Sequence, residues 1–131
     1  WEAAMRPGTR MLFLETPSNP LNEVVDIARV AQIAHGRDAL VVVDNCFLSP
    51  ALQQPLQFGA DVVIHSATKY IAGHSDLIAG ACVGPAELMG QVKLMRAMLG
   101  TTASPHTGWL LTRSLETMKL RMEAQAAGVQ R

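Results

Sequence analysis

The sequence has little of what marks several common classes of protein. Its eleven basic and eleven acidic residues cancel, and it has no run of basic residues longer than two. This balance gives no attraction to nucleic acid or to an anionic membrane surface, so neither is expected as a partner. Apolar runs such as residues 39–43 are far too short to cross a bilayer, and the amino terminus has no charged region followed by a hydrophobic one. These absences predict a soluble, cytoplasmic protein.

Cysteine and histidine are also sparse, and their positions give no metal or disulfide signature. Cys46 and Cys82 lie far apart in the chain, and no CxxC sequence occurs. The four histidines are scattered, so no group of residues has the spacing of zinc ligands. We therefore expect two small free thiols and no bound metal ion.

What is present is a balance of 49% apolar to 17% charged residues over 131 positions, which is typical of one globular domain with a core. The first half of the chain alternates short apolar runs with a helical pattern. The predicted order is strand 11–15, helix 22–35 with Asn22 as its N-cap, strand 39–43, a short helix or turn within 48–56, and strand 62–64. A repeated β-α-β order indicates a mostly parallel sheet with flanking helices, so the predicted fold class is three-layer α/β.

Proline, glycine and apolar periodicity predict the elements of the remaining chain. An apolar run over 77–83 predicts a strand, and Pro85 in a first turn predicts a helix over 85–99. Ser104 and Pro105 resemble an N-cap followed by the first helical residue of a long helix that continues to about residue 126. Its predicted apolar face consists of Leu111, Leu115, Met118 and Met122.

The sequence HSATK, residues 65–69, places two hydroxyls and an amine directly after an apolar run. Open α/β sheets bind their ligands at the carboxyl ends of strands. Ser66 and Thr68 can donate to phosphate oxygens, and Lys69 can act as a nucleophilic amine that forms an imine. Together these residues predict a bound phosphorylated aldehyde. The alternative is that Ser66 and Thr68 only form a turn and that Lys69 points into water.

Asp44 and Asn19 are the polar residues that follow the two preceding strands. Asp44 comes directly after the apolar run VVV, and Asn19 lies in the proline-bounded turn TPSNP. A carboxylate in that position can cap the following turn, or it can face a ligand at the same sheet edge as Lys69. Both interpretations of Asp44 remain open from the sequence.

The spacing Ser66-x-x-Lys69 also satisfies the S-x-x-K pattern of serine acyl-transferring enzymes. That pattern requires further motifs. Ser75-Asp76 is followed by Leu77 where asparagine is required, and no K-T-G occurs. The serine also follows a strand and does not open a long helix, so the acyl-transfer interpretation is disfavoured.

Four stretches, LETPSNP, VVVDNCFLSP, GADVVIHSATKYIAGHSD and SLETMKLRM, resemble the Cys/Met-metabolism family of pyridoxal-phosphate (PLP) enzymes in order and in separation. The resemblance covers nearly the whole chain. It implies the aspartate-aminotransferase-like fold type I, with residues 1–131 as a partial cofactor-binding large domain. The DNCFLSPALQQPL stretch followed by GHSD is most similar to cystathionine γ-synthase, and the γ-lyases come next.

The resemblance implies a role for each candidate residue. Lys69 matches the lysine that binds the cofactor covalently, and Asp44 matches the carboxylate that pairs with the pyridine nitrogen. Asn19 matches the asparagine near the phenolic oxygen, while Ser66 and Thr68 match the hydroxyls on the phosphate. Cys46 stands where many relatives have threonine.

The resemblance also implies an activity and an assembly. The expected reaction is transsulfuration at the γ carbon of an amino-acid substrate, with γ-replacement on an O-acylhomoserine by cysteine as the first expectation. The alternatives are γ-elimination, sulfhydrylation, or an inactive truncated segment. The family forms homo-oligomers that are dimers of dimers. Nothing in this sequence matches its glycine-containing phosphate loop, its ring-stacking aromatic or its substrate-binding arginine.

Overall fold

A computed structural model describes residues 1–129 and places a four-stranded sheet at the centre of the fold. The strands are β1 (Met11–Glu15), β2 (Leu40–Asp44), β3 (Val62–Ser66) and β4 (Gly80–Val83), and they lie side by side in that order. The first three are parallel, and β4 runs antiparallel to β3. The helices are α1 (Ile27–His35), α2 (Ser49–Leu52), α3 (Ala86–Leu99) and α4 (Pro105–Val129), with 3-10 turns at Glu2–Ala4 and Pro55–Phe58. The predicted mostly parallel sheet with flanking helices is confirmed.

The core lies between one face of the sheet and α1. Leu12 pairs with Val41 and Leu14 with Val43, so these side chains share a face because residues in register point the same way. Helix α1 covers that face with its own apolar stripe, which is also buried. The buried cluster includes Leu12, Leu14, Ile27, Val30, Ala31, Ala34, Val41, Val43 and Val63. This packing fixes the sheet and therefore fixes where its carboxyl edge presents polar residues.

Helix α1 begins later than the sequence predicted, so the assignment of Asn22 as its N-cap was wrong. Asn22 has φ +54° and lies in a loop, where its N–H donates to the Ser18 carbonyl at 2.8 Å. The amide of Val25 donates to the Thr16 hydroxyl at 2.9 Å. Asp26 caps the helix instead, since its carboxylate accepts from the N–H of Arg29 at 3.0 Å. A backbone carbonyl and a side-chain hydroxyl of the preceding loop therefore take amides that a longer helix would have used.

Three other sequence expectations were tested in the carboxyl-terminal half. The strand predicted from residue 77 begins at Gly80. Ser104 does cap α4, because its hydroxyl accepts from the N–H of Thr107 at 3.1 Å. The predicted apolar face of α4 is partly wrong: Met122 is buried, but Leu115 is 47% exposed. None of the helices described is both long and apolar enough to span a membrane.

Candidate active site

A large cavity lies at the carboxyl edge of the parallel strands, as expected for an open α/β sheet. It has a volume of about 1190 Å³ and opens to solvent. Its lining residues come from the ends of β1 and β2, from the segment after β3 and from α4. Four of the five residues predicted from the sequence line it: Asn19, Asp44, Thr68 and Lys69. The fold thus brings together side chains that are distant in the sequence.

Lys69 lies on a short turn that follows β3 directly. Its backbone N–H donates to the Ser66 carbonyl at 3.1 Å, and its own carbonyl accepts from the N–H of Gly73 at 2.7 Å. The residue is exposed, and its side chain lines the cavity. Among the cavity-lining residues that the structure describes, Lys69 is the one cation, while Glu15, Asp44 and Asp76 are anionic.

Asp44 caps the turn after β2 and also lines the cavity, while its role toward a ligand stays a prediction. Its Oδ1 accepts from the N–H of Cys46 at 3.0 Å, which caps the turn after β2. The side chain also lines the cavity, and within residues 1–129 its Oδ2 has no hydrogen-bond partner. One carboxylate oxygen therefore holds the local backbone, and the other is available to a cationic N–H group in the cavity.

A buried polar network fixes the strand end that carries Asp44. Asn45 is 1% exposed, and its side-chain nitrogen donates to the Gln53 carbonyl at 2.8 Å. The Gln53 side chain donates in turn to Asn45 Oδ1 and to the Thr16 carbonyl, both at 2.9 Å. The network joins the ends of β1 and β2 through α2, so Asp44 is held on a rigid support. The sequence analysis did not identify Asn45 or Gln53.

Asn19 lies in the loop that follows β1. Its backbone N–H donates to Glu15 Oε2 at 3.1 Å, which ties the loop back to the strand end. The residue is exposed and its side chain lines the cavity. Glu15 pairs in register with Asp44, so two carboxylates lie next to each other at this edge.

Thr68 lines the cavity, but its hydroxyl is already engaged with the backbone of Ala79. Thr68 Oγ1 donates to the Ala79 carbonyl at 3.2 Å and accepts from the Ala79 N–H at 2.9 Å. The Thr68 N–H also donates to that carbonyl, at 3.1 Å. A hydroxyl has a single proton. Thr68 must therefore release the Ala79 carbonyl before it can donate to a phosphate oxygen.

Ser66 is the predicted site residue that the structure does not place among those lining the cavity. It is the last residue of β3, it is half-buried, and it pairs with Gly80. Within the described chain its carbonyl is engaged, by the Lys69 N–H and by the Cys46 thiol at 3.7 Å, but its hydroxyl is not. Its assignment to a phosphate stays a prediction.

Of the two cysteines, Cys46 lines the cavity, whereas Cys82 lies on β4 outside it. Burial raises the pKa of the Cys46 thiol, and the charge of Asp44 raises it further against the opposing hydrogen bond to Ser66. Burial also raises the pKa of Cys82. Both thiols are therefore neutral at neutral pH. The described residues contain no group of three side chains able to hold a metal ion.

His65 gives the fold a dependence on pH. It is 8% exposed, and its Nδ1 lies 3.1 Å from the Asn45 carbonyl. Burial lowers its pKa, although the hydrogen bond to Asn45 and the charge of Asp44 oppose the effect. The unfolded chain, with a histidine pKa of about 6.5, therefore binds the proton more readily than the folded chain does.

We expect the free energy of unfolding to fall as the pH drops below about 6.5, until the folded-state pKa of His65 is passed. Urea unfolding at a series of pH values measures this dependence. In the His65→Gln variant the part of the slope that belongs to His65 disappears, whereas the exposed His106→Gln variant keeps it. An identical slope in wild type and His65→Gln contradicts the prediction.

The donor set of the cavity fits pyridoxal phosphate in part. An amine can bind an aldehyde carbon, a carboxylate with a free oxygen can hold a protonated ring nitrogen, and an amide can bond a phenolic oxygen. The cavity offers fewer groups that could bind the phosphate. Neither an arginine nor the N-terminus of a long helix lines the cavity in the described part of the chain, and both are common phosphate-binding features.

Known proteins resemble this chain over its whole length. The family profile for Cys/Met metabolism PLP-dependent enzymes matches residues 1–131. An O-succinylhomoserine sulfhydrylase from Pseudomonas aeruginosa is 54% identical over 127 residues, which is 97% of this chain and 32% of that protein. The chain thus spans about a third of the length of the curated relatives it matches.

Solved structures agree with this assignment. A cystathionine γ-lyase from Lactobacillus plantarum, crystallised with L-serine, superposes with a TM-score of 0.87 at 42% identity, covering 91% of this chain and 32% of that one. A cystathionine γ-synthase from Xanthomonas oryzae pv. oryzae in complex with cystathionine gives a TM-score of 0.82 at 50% identity, with coverage of 85% and 29%. The chain therefore belongs to the Cys/Met metabolism family of PLP-dependent enzymes.

Proposed function

We propose that this protein is a PLP-dependent transsulfuration enzyme that acts at the γ carbon of homoserine-derived or sulfur-containing amino acids. The observation that carries the proposal is the shared cavity of Lys69, Asp44 and Asn19 at the carboxyl edge of the sheet. Each of these side chains has the chemistry that one part of the cofactor requires. Family membership supports the same cofactor.

In this proposal each candidate residue would bind a different part of the cofactor. Lys69 Nζ would bind the aldehyde carbon covalently, and Asp44 Oδ2 would keep a proton on the pyridine nitrogen by charge pairing. Asn19 orients the ring through its phenolic oxygen, and Ser66 and Thr68 donate to the phosphate. When bound, pyridoxal phosphate supplies an electron sink that stabilises negative charge on the substrate carbon next to the amine.

Lys69 has a second role as the base of the reaction. Once the substrate amine has displaced it from the aldehyde carbon, Nζ would accept the proton from the α carbon of the substrate and move protons between the α and β carbons while the γ substituent leaves. The open cavity leaves room for an amino acid beside the cofactor.

Two γ-replacement reactions are candidates for the specific activity of this protein. Cystathionine γ-synthase joins an O-acylhomoserine to cysteine, and the 50% identity to the Xanthomonas oryzae structure of that name supports it. The second candidate is O-acylhomoserine sulfhydrylation, supported by the 54% identity to the Pseudomonas aeruginosa relative. Both reactions release the same acyl group, and they differ in the sulfur nucleophile that replaces it.

A competition assay distinguishes these reactions. The protein, loaded with pyridoxal phosphate, is incubated with O-succinylhomoserine and with either cysteine or sulfide, and the products are measured by mass spectrometry. We expect the kcat/KM for formation of cystathionine from cysteine to be at least about tenfold above the kcat/KM for formation of homocysteine from sulfide. The reverse preference selects the sulfhydrylase, and release of methanethiol from methionine selects a γ-lyase. The absence of turnover in all three reactions, those with cysteine, with sulfide and with methionine, contradicts the proposal.

Exposed apolar side chains on α3 support a larger assembly around this chain. We propose that residues 1–131 are part of the PLP-binding large domain of a cytoplasmic homo-oligomer, a dimer of dimers. Helix α3 exposes several large apolar side chains, among them Leu94, Met95, Met98 and Leu99. Exposed apolar groups in such a cluster are typical of surfaces that other protein segments cover.

A further inference from the structure

Arg121, on α4, contacts the backbone immediately after Lys69. Its Nη1 donates to the Tyr70 carbonyl at 2.8 Å, and its Nη2 donates to the Ile71 carbonyl at 3.3 Å. The same guanidinium is held within α4, where Nη2 donates to the Ser114 carbonyl at 2.9 Å and Nε donates to the Thr117 hydroxyl at 3.2 Å. Arg121 therefore joins the long helix to the turn that carries Lys69.

The turn after Lys69 needs such a partner. It is a hydrogen-bonded turn, in which the Ala72 N–H donates to the Ala67 carbonyl at 2.9 Å and the Gly73 N–H donates to the Lys69 carbonyl at 2.7 Å. The last carbonyls of such a turn have no N–H group within the turn that could donate to them. Those of Tyr70 and Ile71 are in this position, and a cation is the favoured partner at the carboxyl end of a turn.

Gly73 makes room for the guanidinium. Its φ is +74°, and a Cβ at this position would overlap Arg121. A side chain here would therefore displace the guanidinium from the Tyr70 and Ile71 carbonyls. Gly73 also lines the cavity, so the contact lies at the wall of the proposed active site.

The same arginine aligns α4 with the cavity. Gln125 lies one helical turn beyond Arg121, on the same side of α4, and lines the cavity. Tyr70, whose carbonyl Arg121 binds, lines it as well. The position of two cavity-lining residues thus depends on where the guanidinium holds the turn and the helix against each other.

We propose that Arg121 is a positioning residue that holds the Lys69 turn so that the Lys69 amine faces the cavity in the orientation for reaction with an aldehyde. The proposal rests on the proposed function of Lys69. In that reaction the Nζ lone pair forms the carbon–nitrogen bond, and the aldehyde oxygen leaves as water. Lysine cannot replace Arg121 fully, because an ammonium group lacks the planar fork that reaches two neighbouring carbonyls.

The test uses Arg121→Met, which keeps much of the apolar stem, and Arg121→Lys, which keeps the charge. Hydrogen exchange is measured in the cofactor-free protein, and the rate of attachment of pyridoxal phosphate to Lys69 is measured by borohydride trapping and peptide mass spectrometry. In Arg121→Met we expect faster exchange at the Ala72 and Gly73 amides and slower trapping, each by about tenfold, the scale of one charged hydrogen bond. Arg121→Lys gives an intermediate result.

Matched variants separate positioning from general damage. Arg113→Met removes an exposed arginine of the same helix that stacks over Trp109, and it leaves both measurements unchanged. Gly73→Ala reproduces the Arg121→Met result. Gly100→Ala, whose φ of +72° imposes the same backbone strain with no heavy atom within 4 Å, does not.

The outcomes distinguish the two proposals. Unchanged exchange at Ala72 and Gly73 together with unchanged trapping in Arg121→Met overturns the role of Arg121. An equal increase in exchange at the β2 amides overturns it as well, because that result is general destabilisation. If wild type forms no adduct on Lys69, the proposed function fails, and the exchange rates at Ala72 and Gly73 alone decide whether Arg121 holds the turn.

Discussion

Replacing Lys69 with alanine is expected to abolish covalent attachment of pyridoxal phosphate and to lower turnover by a factor on the order of 10⁴, as for other nucleophiles that also transfer protons. The variant removes both the group that binds the aldehyde and the base that moves the substrate protons. The measurements are the visible absorbance of the protein with the cofactor and borohydride trapping located by peptide mass spectrometry. Folding is expected to change little, because the Lys69 side chain is exposed and makes no packing contact in the core.

Lys93→Ala is the matched control for this experiment. Lys93 is an exposed lysine on α3, away from the cavity that contains Lys69. The Lys93→Ala variant is expected to keep the absorbance band and the activity of wild type. A borohydride-stable adduct that persists in Lys69→Ala, or one that maps to another lysine, disproves the assignment of Lys69.

Asp44→Asn is expected to lower turnover by about 10²- to 10³-fold, the scale for removal of one preorganised electrostatic partner. Asparagine keeps an oxygen that can accept from the Cys46 N–H, so the cap on the turn after β2 is retained. What the variant removes is the negative charge that would hold a proton on the pyridine nitrogen. Attachment of the cofactor to Lys69 should persist, so kcat falls while the trapped adduct still forms.

Asp38→Asn provides the charge-matched control. Asp38 is exposed in the turn before β2 and has φ +54°, a conformation that asparagine also tolerates. The kcat and the melting temperature of the Asp38→Asn variant should match those of wild type. A comparable loss of activity in both variants, or loss of the adduct in Asp44→Asn, contradicts a specific role for Asp44.

The sheet and the site could be predicted from the sequence because the signals for both are local. Each parallel strand is a short apolar run, and the polar residue that follows each run marks the carboxyl edge. Asn19 follows β1, Asp44 is the last residue of β2, and Thr68 and Lys69 follow β3, so a parallel sheet gathers them at one edge. The order of strands in the sheet equals their order in the sequence, which made the gathering simple to predict.

The features that the sequence did not reveal depend on partners that a local pattern does not identify. Asn22 and Asp26 are both good caps, and what decides between them is the set of loop hydrogen bonds to Ser18 and Thr16. Arg121 resembles the other charged residues of α4, and its partner Tyr70 is remote in the sequence. Its only sequence signal is its place in the SLETMKLRM stretch, which indicated the family and not a contact.

The three hydrogen bonds between Thr68 and Ala79 have a consequence for how this site can vary. They join the two ends of the segment 69–78, so the segment leaves the sheet and returns to it at one fixed point. The cavity wall formed by Ser75, Asp76, Leu77 and Ile78 belongs to this segment. Beyond the Lys69 turn, residues 74–78 can therefore change in length and composition without shifting the register of β3 with β4. Such changes would alter the shape and charge of the cavity wall while the sheet stays the same.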